Sequence, residues 1–244
     1  MALINILNDK FLSEILNKDV FQVQLCIEDN QSVNSDIDLN LLNSYLKQNV
    51  FIYIKVPSQH IQIVQLFEKV GFRIVDTNVS YEKKVKLSPI EPVNHNLRFS
   101  ILKDKQQVCL IAKNNFIFSR FHQDRFFSKN ISDNIKLKWT ENFFLGNRGN
   151  SMIVAYNNDT IMGFLLLILK DKVIIVDLIA VDSQFQKQGI GKNMIQYAEN
   201  NLKDFELIKV GTQIINRPSI SLYENMGFKI TSASYVLHFH NLQI

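Results

Sequence analysis

The chain has 244 residues, of which 46% are apolar, so it can bury a core in one large domain or two small ones. Its net charge of +4 is small, and the densest basic run, KKVK at residues 83–86, has no interleaved aromatic residues, a pattern that does not favour nucleic-acid binding. No apolar run reaches the roughly 20 residues that span a bilayer, and the N-terminus lacks the layout of a secretory signal, so we expect a cytoplasmic protein without membrane insertion.

Before residue 95, apolar periodicity predicts an alternation of strands and helices. The predicted elements are a strand at 21–28, a helix at 38–49, a strand at 50–57, a helix at 58–70 that Gly71 stops, and further strands. The segment KLSPIEPVNHN, residues 86–96, contains two of the four prolines and predicts an extended linker. We therefore expect two domains, at residues 1–95 and 96–244.

After the linker, the same alternation recurs. We predict a strand at 98–101, helical segments within 104–142, a hairpin of strands 152–156 and 160–169, a strand at 173–181, a helix at 191–202, a strand at 206–213, a helix at 218–226 that Gly227 stops, and final strands. Strands that alternate with helices in both halves place the chain in the α/β class.

The two halves also share a short stretch of sequence. Residues 66–74, LFEKVGFRI, align with residues 222–230, LYENMGFKI, and the order of elements upstream agrees. This match predicts a diverged internal duplication. The first copy has no glycine pair corresponding to Gly189 and Gly191, and it carries Phe67 at the position of Tyr223. We infer that only the second copy carries a site.

That site is predicted first from QKQGIGKNMIQYAE, residues 186–199, where two glycines precede a helical pattern. Without side chains at Gly189 and Gly191, the N–H groups of residues 188–192 can approach a ligand closely, and the helix dipole favours an anion such as phosphate. Neither a P-loop nor the dinucleotide-binding pattern is complete here. Glycines also serve turn geometry alone, so both interpretations stay open for the loop by itself.

The spacing Gln-x-x-Gly-x-Gly resembles the pyrophosphate-binding motif of the GNAT superfamily of acyl-CoA-dependent N-acyltransferases. The preceding strand VDLIAV and the downstream segment NRPSISLY, residues 216–223, match the layout of that family, and the resemblance covers roughly residues 97–244. It implies a GNAT fold with a central mixed, mostly antiparallel sheet flanked by helices, preceded here by a smaller degenerate GNAT-like α/β domain. It also implies acetyl-CoA or another short acyl-CoA as co-substrate, bound by Ile179, Ala180, Val181, Gln186, Gln188, Gly189, Ile190, Gly191, Lys192 and Asn216.

The same resemblance implies direct acyl transfer to a neutral amine, which requires a proton donor for the leaving thiolate and a base for the amine. Tyr223 is the proton donor of the family pattern, and a buried core tyrosine is the alternative. Asp177, where the first copy has Gln24, is a candidate base, although a carboxylate capped by its neighbours is nearly as plausible. His122 is a second candidate base, since an imidazole titrates near the required range.

The acceptor site is predicted from SRFHQDRFF, residues 119–127. Arg120, His122, Asp124 and Arg125 among phenylalanines suit an anionic, hydroxyl-rich substrate, while ordinary surface ion pairs are the alternative. With Trp139, Asn142 and the ending SASYVLHFH, the chain resembles nucleotide-sugar N-acyltransferases of the dTDP-fucosamine acetyltransferase type, which also carry a degenerate N-terminal domain. The match to that group at residues 121–125 is loose, so the roles of its acceptor-binding residues are assigned to these positions only weakly.

Neither the cysteines nor the C-terminal histidines predict a metal. Cys26 and Cys109 lie far apart in apolar contexts, and we expect two buried free thiols. His238 and His240 share one face of a predicted strand. They could be a pair of metal ligands or polar residues of an edge strand. Because no third ligand lies at a useful spacing, we favour the edge strand.

We therefore expect an enzyme that transfers an acetyl or short hydroxyacyl group to the amino group of a dTDP-linked 3- or 4-amino-dideoxyhexose. Such a product would supply a cell-surface glycan of the lipopolysaccharide O-antigen kind, and a homodimer is a common arrangement in the family. Two alternatives remain: a GNAT enzyme acting on a protein N-terminus, a polyamine or an antibiotic, and a CoA-binding regulatory or scaffolding protein. The sequence leaves the nucleotide, the amine position and the acyl chain open.

Overall fold

The computed structural model describes residues 3–26, 39–46, 49–87 and 95–241. The described elements of the first half are β1 (Leu3–Asn8), α1 (Lys10–Leu16), β2 (Asp19–Cys26), a 3₁₀ turn (Leu39–Leu42), α2 (Asn43–Leu46), β3 (Val50–Pro57), α3 (Ile61–Lys69) and β4 (Arg73–Lys84). Those of the second half are β5 (Asn96–Phe99), α4 (Lys105–Asn115), α5 (Arg120–Gln123), α6 (Lys129–Phe144), β6 (Ser151–Asn157), β7 (Thr160–Lys170), β8 (Val173–Val181), α7 (Ile190–Asn201), β9 (Leu207–Gln213), α8 (Arg217–Asn225) and β10 (Lys229–His240). Short 3₁₀ turns precede α4 and follow β8.

Contacts divide the chain into two compact units, and each unit draws on separate stretches of sequence. Unit 1 comprises the described residues up to Val79, Arg120–Ser128 and the residues from Ser232 onward, and unit 2 comprises Ser80–Ser119 and Lys129–Thr231. In unit 1 the strands follow the order β1-β2-β3-β10-β4, where β4 contributes Arg73–Val79, and in unit 2 the order β9-β8-β7-β6-β5.

The strand pairings confirm the predicted fold class, α/β with a mixed, mostly antiparallel sheet. β1 with β2, β3 with β10, β5 with β6, β6 with β7 and β7 with β8 run antiparallel. The pairs β2 with β3 and β8 with β9 run parallel. β7 is buried along most of its length, which explains its unbroken apolar sequence, because helices α4 and α7 both contact it.

The two halves of the sequence share their strand register. In unit 1, Asp19–Val23 pair with Val50–Ile54, and in unit 2, Val173–Val176 pair with Leu207–Val210. Both pairings end at the same distance before the glycine that stops the following helix. An internal duplication, which stays a prediction, would produce this equal spacing.

Several predicted elements change in the structure. The strand expected at 98–101 lies at Asn96–Phe99, and the helix expected at 38–49 is, within the described residues, a 3₁₀ turn and one α-turn. β1 and α1 were not predicted, because the sequence of β1, LINILN, does not alternate apolar and polar residues and α1 has only seven residues. The linker prolines lie outside the described residues, as does most of the first copy's counterpart of the glycine loop.

The predicted state of the thiols is half right. Cys109 is buried in α4, but Cys26 is exposed at the end of β2, so the expectation of two buried thiols is wrong for Cys26. None of the described helices is long and apolar enough to cross a membrane.

Candidate active site

The strands β8 and β9 separate halfway along β8. Their parallel pairing ends at Val176 with Val210, whereas β8 remains paired with β7 as far as Val181. A bulge marks the point of separation, because Leu167 pairs with Val176 and Leu166 with Leu178, which leaves Asp177 as the extra residue. Within the described register, the edge of β8 over 177–181 therefore lacks a β9 partner and is open to an extended ligand.

The predicted glycine loop follows directly. Gly189 is the N-cap of α7 with a φ of +76°, and the first intrahelical bond runs from the Asn193 N–H to the Gly189 carbonyl. The N–H groups ahead of that bond have no intrahelical acceptor, so this turn suits an anion. The Gln186 side chain donates to the Val181 carbonyl at 3.1 Å and ties the loop to the end of β8. Gln188 is exposed in the loop.

Gly191 has a second reason to lack a side chain. A Cβ atom there would lie 3.2 Å from Leu222 Cδ2 and 3.8 Å from Ile179 Cδ1, so the glycine lets α7 approach α8 and β8 closely. The turn-geometry interpretation and the ligand interpretation are therefore compatible at this loop. Lys192 follows in the first turn of α7, next to the exposed N–H groups.

Helix α8 places the other two residues of the predicted site. Asn216 is its N-cap, accepts from the Ser219 N–H at 3.3 Å and donates to Thr212 Oγ1 at 3.2 Å, while Pro218 lies in the first turn as predicted. Tyr223 is 1% exposed, between the rings of Tyr81 and Phe228. Burial raises the pKa of Tyr223 well above its ordinary value, although a hydrogen bond with Ser219 opposes the shift, so the hydroxyl keeps its proton at neutral pH.

Asp177 has a partner that the sequence did not indicate. Arg148 Nε and Nη2 donate to its two carboxylate oxygens at 2.6 and 2.7 Å, and the guanidinium lies 4.1 Å from the centre of the Trp139 ring. Both oxygens are thus occupied, which favours the capped-carboxylate alternative over a free base. The signal for Arg148 was faint: it stands between Gly146 and Gly149 in a loop without periodicity.

The predicted acceptor residues lie in unit 1, around α5. Asp124 is buried and accepts from His238 Nδ1 at 2.6 Å, His240 Nε2 at 2.7 Å and the Phe126 N–H at 3.0 Å. Arg120 is next to His238 Nε2, at 3.4 Å, and its guanidinium lies 3.8 Å from the centre of the Tyr53 ring.

The four residues differ in exposure. Asp124 is buried, Arg120 and His122 are half-buried, and Arg125 is exposed. Burial acts to raise the pKa of Asp124, but the hydrogen bonds from His238 and His240 outweigh it and hold that pKa well below its usual range. The predicted role of these residues in acceptor binding stays a prediction.

The edge-strand interpretation of the histidines is wrong, because β10 lies between β3 and β4 in the strand order. Asp124 supplies the third ligand atom that the sequence did not reveal, since it lies more than a hundred residues away, and the three atoms fall within 4.8 Å of one another. A cation bound to Nδ1 of His238 would leave the ring proton on Nε2, the nitrogen that faces Arg120. The N–H of His238 would then face an N–H of Arg120, and two donors cannot hydrogen-bond to each other. The arrangement therefore fits a hydrogen-bonded network better than a metal site.

Comparison with known proteins agrees with this geometry. Residues 115–228 match the acetyltransferase (GNAT) family. A spore coat polysaccharide biosynthesis protein, SpsD, of Bacillus subtilis is 28% identical over 247 residues, covering 93% of this chain and 79% of that protein. The fold is similar to a GCN5-related N-acetyltransferase from Sphaerobacter thermophilus (12% identity, 97% of this chain and 76% of that one, TM-score 0.62). It is also similar to a tandem GNAT protein from the clavulanic acid biosynthesis pathway (10% identity, 91% of this chain and 75% of that one, TM-score 0.58).

The separated strands and the glycine loop lie within the matched residues. Residues 115–228 form a GNAT acetyltransferase domain, the domain of acyl-CoA-dependent N-acyltransferases.

Proposed function

We propose that this enzyme transfers an acetyl or short hydroxyacyl group from acyl-CoA to the amino group of a dTDP-linked 3- or 4-amino-dideoxyhexose. The observation that carries the acceptor class is the similarity to the spore coat polysaccharide biosynthesis protein, which extends over 93% of the chain and so includes unit 1 as well as the acyltransferase domain. The product would enter a cell-surface glycan. We further propose a cytoplasmic homodimer.

The proposed acyl-CoA site fits two features of unit 2. The first turn of α7, with its N–H groups and Lys192, suits the pyrophosphate, and Asn216 and the open edge of β8 over Ile179–Val181 suit the amide-bearing arm. Acyl-CoA supplies a thioester carbon that a neutral amine can attack. The amide C–N bond forms as the C–S bond breaks.

Tyr223 is the proposed proton donor to the departing sulfur. Its raised pKa keeps it protonated until that sulfur develops charge, and Ser219 orients the hydroxyl. The amine proton must pass to a base. The two candidates are Asp177, which Arg148 engages through both oxygens, and His122, which the substitution below tests.

The test is thiol release from acetyl-CoA with a panel of dTDP- and UDP-linked amino sugars, beside a polyamine and a peptide with a free N-terminus. We expect release with at least one amino-sugar nucleotide and a much lower rate with the other amines. Turnover of the polyamine or peptide alone would overturn the acceptor class. Binding of CoA without turnover of any amine would point to a regulatory protein instead. His122→Gln should lower kcat with the accepted sugar, and unchanged kcat would remove His122 as the base.

A further inference from the structure

The loop that carries Arg148 is fixed firmly against β7 beside the bulge of β8. Gly149 has a φ of +66°, and a Cβ atom there would lie 2.7 Å from Leu166 Cδ1 and 2.9 Å from the Leu167 carbonyl, so only glycine allows this approach. Asn150 then donates from its N–H to the Leu167 carbonyl at 3.1 Å and exchanges two side-chain hydrogen bonds with Leu169. The loop is therefore held by contacts of Gly149 and Asn150 that do not involve Arg148.

The guanidinium group of Arg148 has a fixed orientation and N–H donors that Asp177 does not use. Asp177 takes its Nε–H and one Nη2 N–H, and the Trp139 ring at 4.1 Å fixes the tilt of the guanidinium. A guanidinium has five N–H donors, so three remain, on the edge that faces away from Asp177. In the described part of the chain these three have no hydrogen-bond partner, and the side chain is 30% exposed.

The position of this edge relates it to the acyl-transfer site. Asp177 is the bulge residue, and the open edge of β8 begins there and continues through Ile179 to Val181. A group bound to Arg148 would therefore lie near the start of the segment assigned above to the acyl-bearing arm. Lys136 lies 4.6 Å from the centre of the same Trp139 ring and adds positive charge nearby.

We propose that Arg148 binds an oxyanion of the acceptor, and that Asp177 is a positioning residue that holds Arg148 in place. The inference rests on the proposed function, in which this oxyanion is the diphosphate of the nucleotide sugar. A planar fork with a fixed orientation suits two phosphate oxygens at once, and its orientation is established before the ligand arrives.

A purely structural role for the pair explains less of the arrangement. Gly149 and Asn150 already fix the loop, so the ion pair is not needed for that purpose. A second pair in unit 2, Arg98 with Asp104, is also bidentate, through Nη1 and Nη2 at 2.7 and 2.8 Å, and has a similar exposure, 31% for the arginine. It joins β5 to the start of α4 and serves as the matched control.

The first experiment measures binding and does not require turnover. With the acyl-CoA site saturated by CoA, calorimetry would measure the affinity of the wild type for dTDP, inorganic pyrophosphate and glucuronate. We expect dTDP and pyrophosphate to bind, Arg148→Met to weaken them at least tenfold, and Arg98→Met to leave them unchanged. Loss of glucuronate binding alone would assign the oxyanion to a carboxylate. Wild type that binds none of the three, or equal affinities in wild type and Arg148→Met, would overturn the proposal.

The second experiment separates positioning from base catalysis. Asp177→Asn should raise the KM of the acceptor about tenfold and leave kcat within about threefold. If Arg148→Met folds poorly, Arg148→Lys takes its place and should show the same pattern. A fall in kcat of a hundredfold or more for Asp177→Asn, with KM unchanged, would make Asp177 the base and contradict its positioning role. If no amino-sugar nucleotide is turned over, the proposed function fails, while the binding experiment still decides the role of Arg148.

Discussion

Replacing Gly189 by alanine tests whether the start of α7 binds the pyrophosphate of CoA. Gly189 and Gly227 have φ values of +76° and +83°, and a Cβ atom at either position meets nothing closer than 4.0 Å. Alanine at each is thus penalised only for its left-handed backbone, by about 1–2 kcal/mol. Gly189 alone precedes the exposed N–H groups of α7. If the backbone relaxes to relieve that strain, these groups move, and the same energy corresponds to about a 5–30-fold loss of CoA affinity.

The assay compares the wild type with Gly189→Ala and Gly227→Ala. Calorimetry gives the dissociation constant of acetyl-CoA, and thermal unfolding gives stability. Both variants should lose similar stability, and only Gly189→Ala should lose affinity. The reasoning is refuted if Gly189→Ala binds acetyl-CoA like the wild type, or if Gly227→Ala loses as much affinity.

Three further predictions concern Tyr223, the histidine network and the thiols. Tyr223→Phe should lower kcat by about 10²–10⁴-fold and leave acetyl-CoA binding nearly unchanged, because the first copy buries Phe67 fully at the equivalent position; unchanged kcat would exclude the hydroxyl as proton donor. Burial lowers the pKa of His238 to about 3, against the opposing hydrogen bond with Asp124, so below about pH 6.5 the unfolded chain binds a proton that the folded chain does not. The free energy of unfolding should then decrease as the pH is lowered, by up to about 1.4 kcal/mol per pH unit. Urea unfolding between about pH 6 and pH 4 should show this slope for the wild type and not for His238→Gln; an equal slope in both would contradict the buried neutral imidazole. Cys26 should react with a thiol reagent in the folded protein, whereas burial raises the pKa of Cys109 to about 11 and should keep it unreactive until unfolding; two fast thiols would contradict the structure.

Local signals predicted the fold well. Gly71 and Gly227 each end a helix with a positive φ, and Pro218 lies in the first turn of α8, because these residues act through their own backbone. The hairpin of β6 and β7 followed from strand periodicity and a polar turn. Likewise, the glycine spacing identified the start of α7, since a glycine in front of a helical period is readable without knowledge of tertiary contacts.

Contacts between distant residues were not predictable in the same way. Arg148 and Asp177 are separated in the sequence by two strands, and Asp177 is the bulge residue of β8. Asp124 and His238 are brought together by a strand from the far end of the chain. Such pairs depend on strand order, which the alternation of elements does not specify, so a candidate base was predicted where the structure has an ion pair.

The most direct test of the central claim is mass spectrometry of the product formed from acetyl-CoA and a dTDP-linked amino-dideoxyhexose. The account predicts a product heavier by one acetyl group, attached to the sugar amine, in wild type and not in Tyr223→Phe at the same time point. An unmodified sugar with the wild-type enzyme, under conditions in which acetyl-CoA is bound, would contradict it.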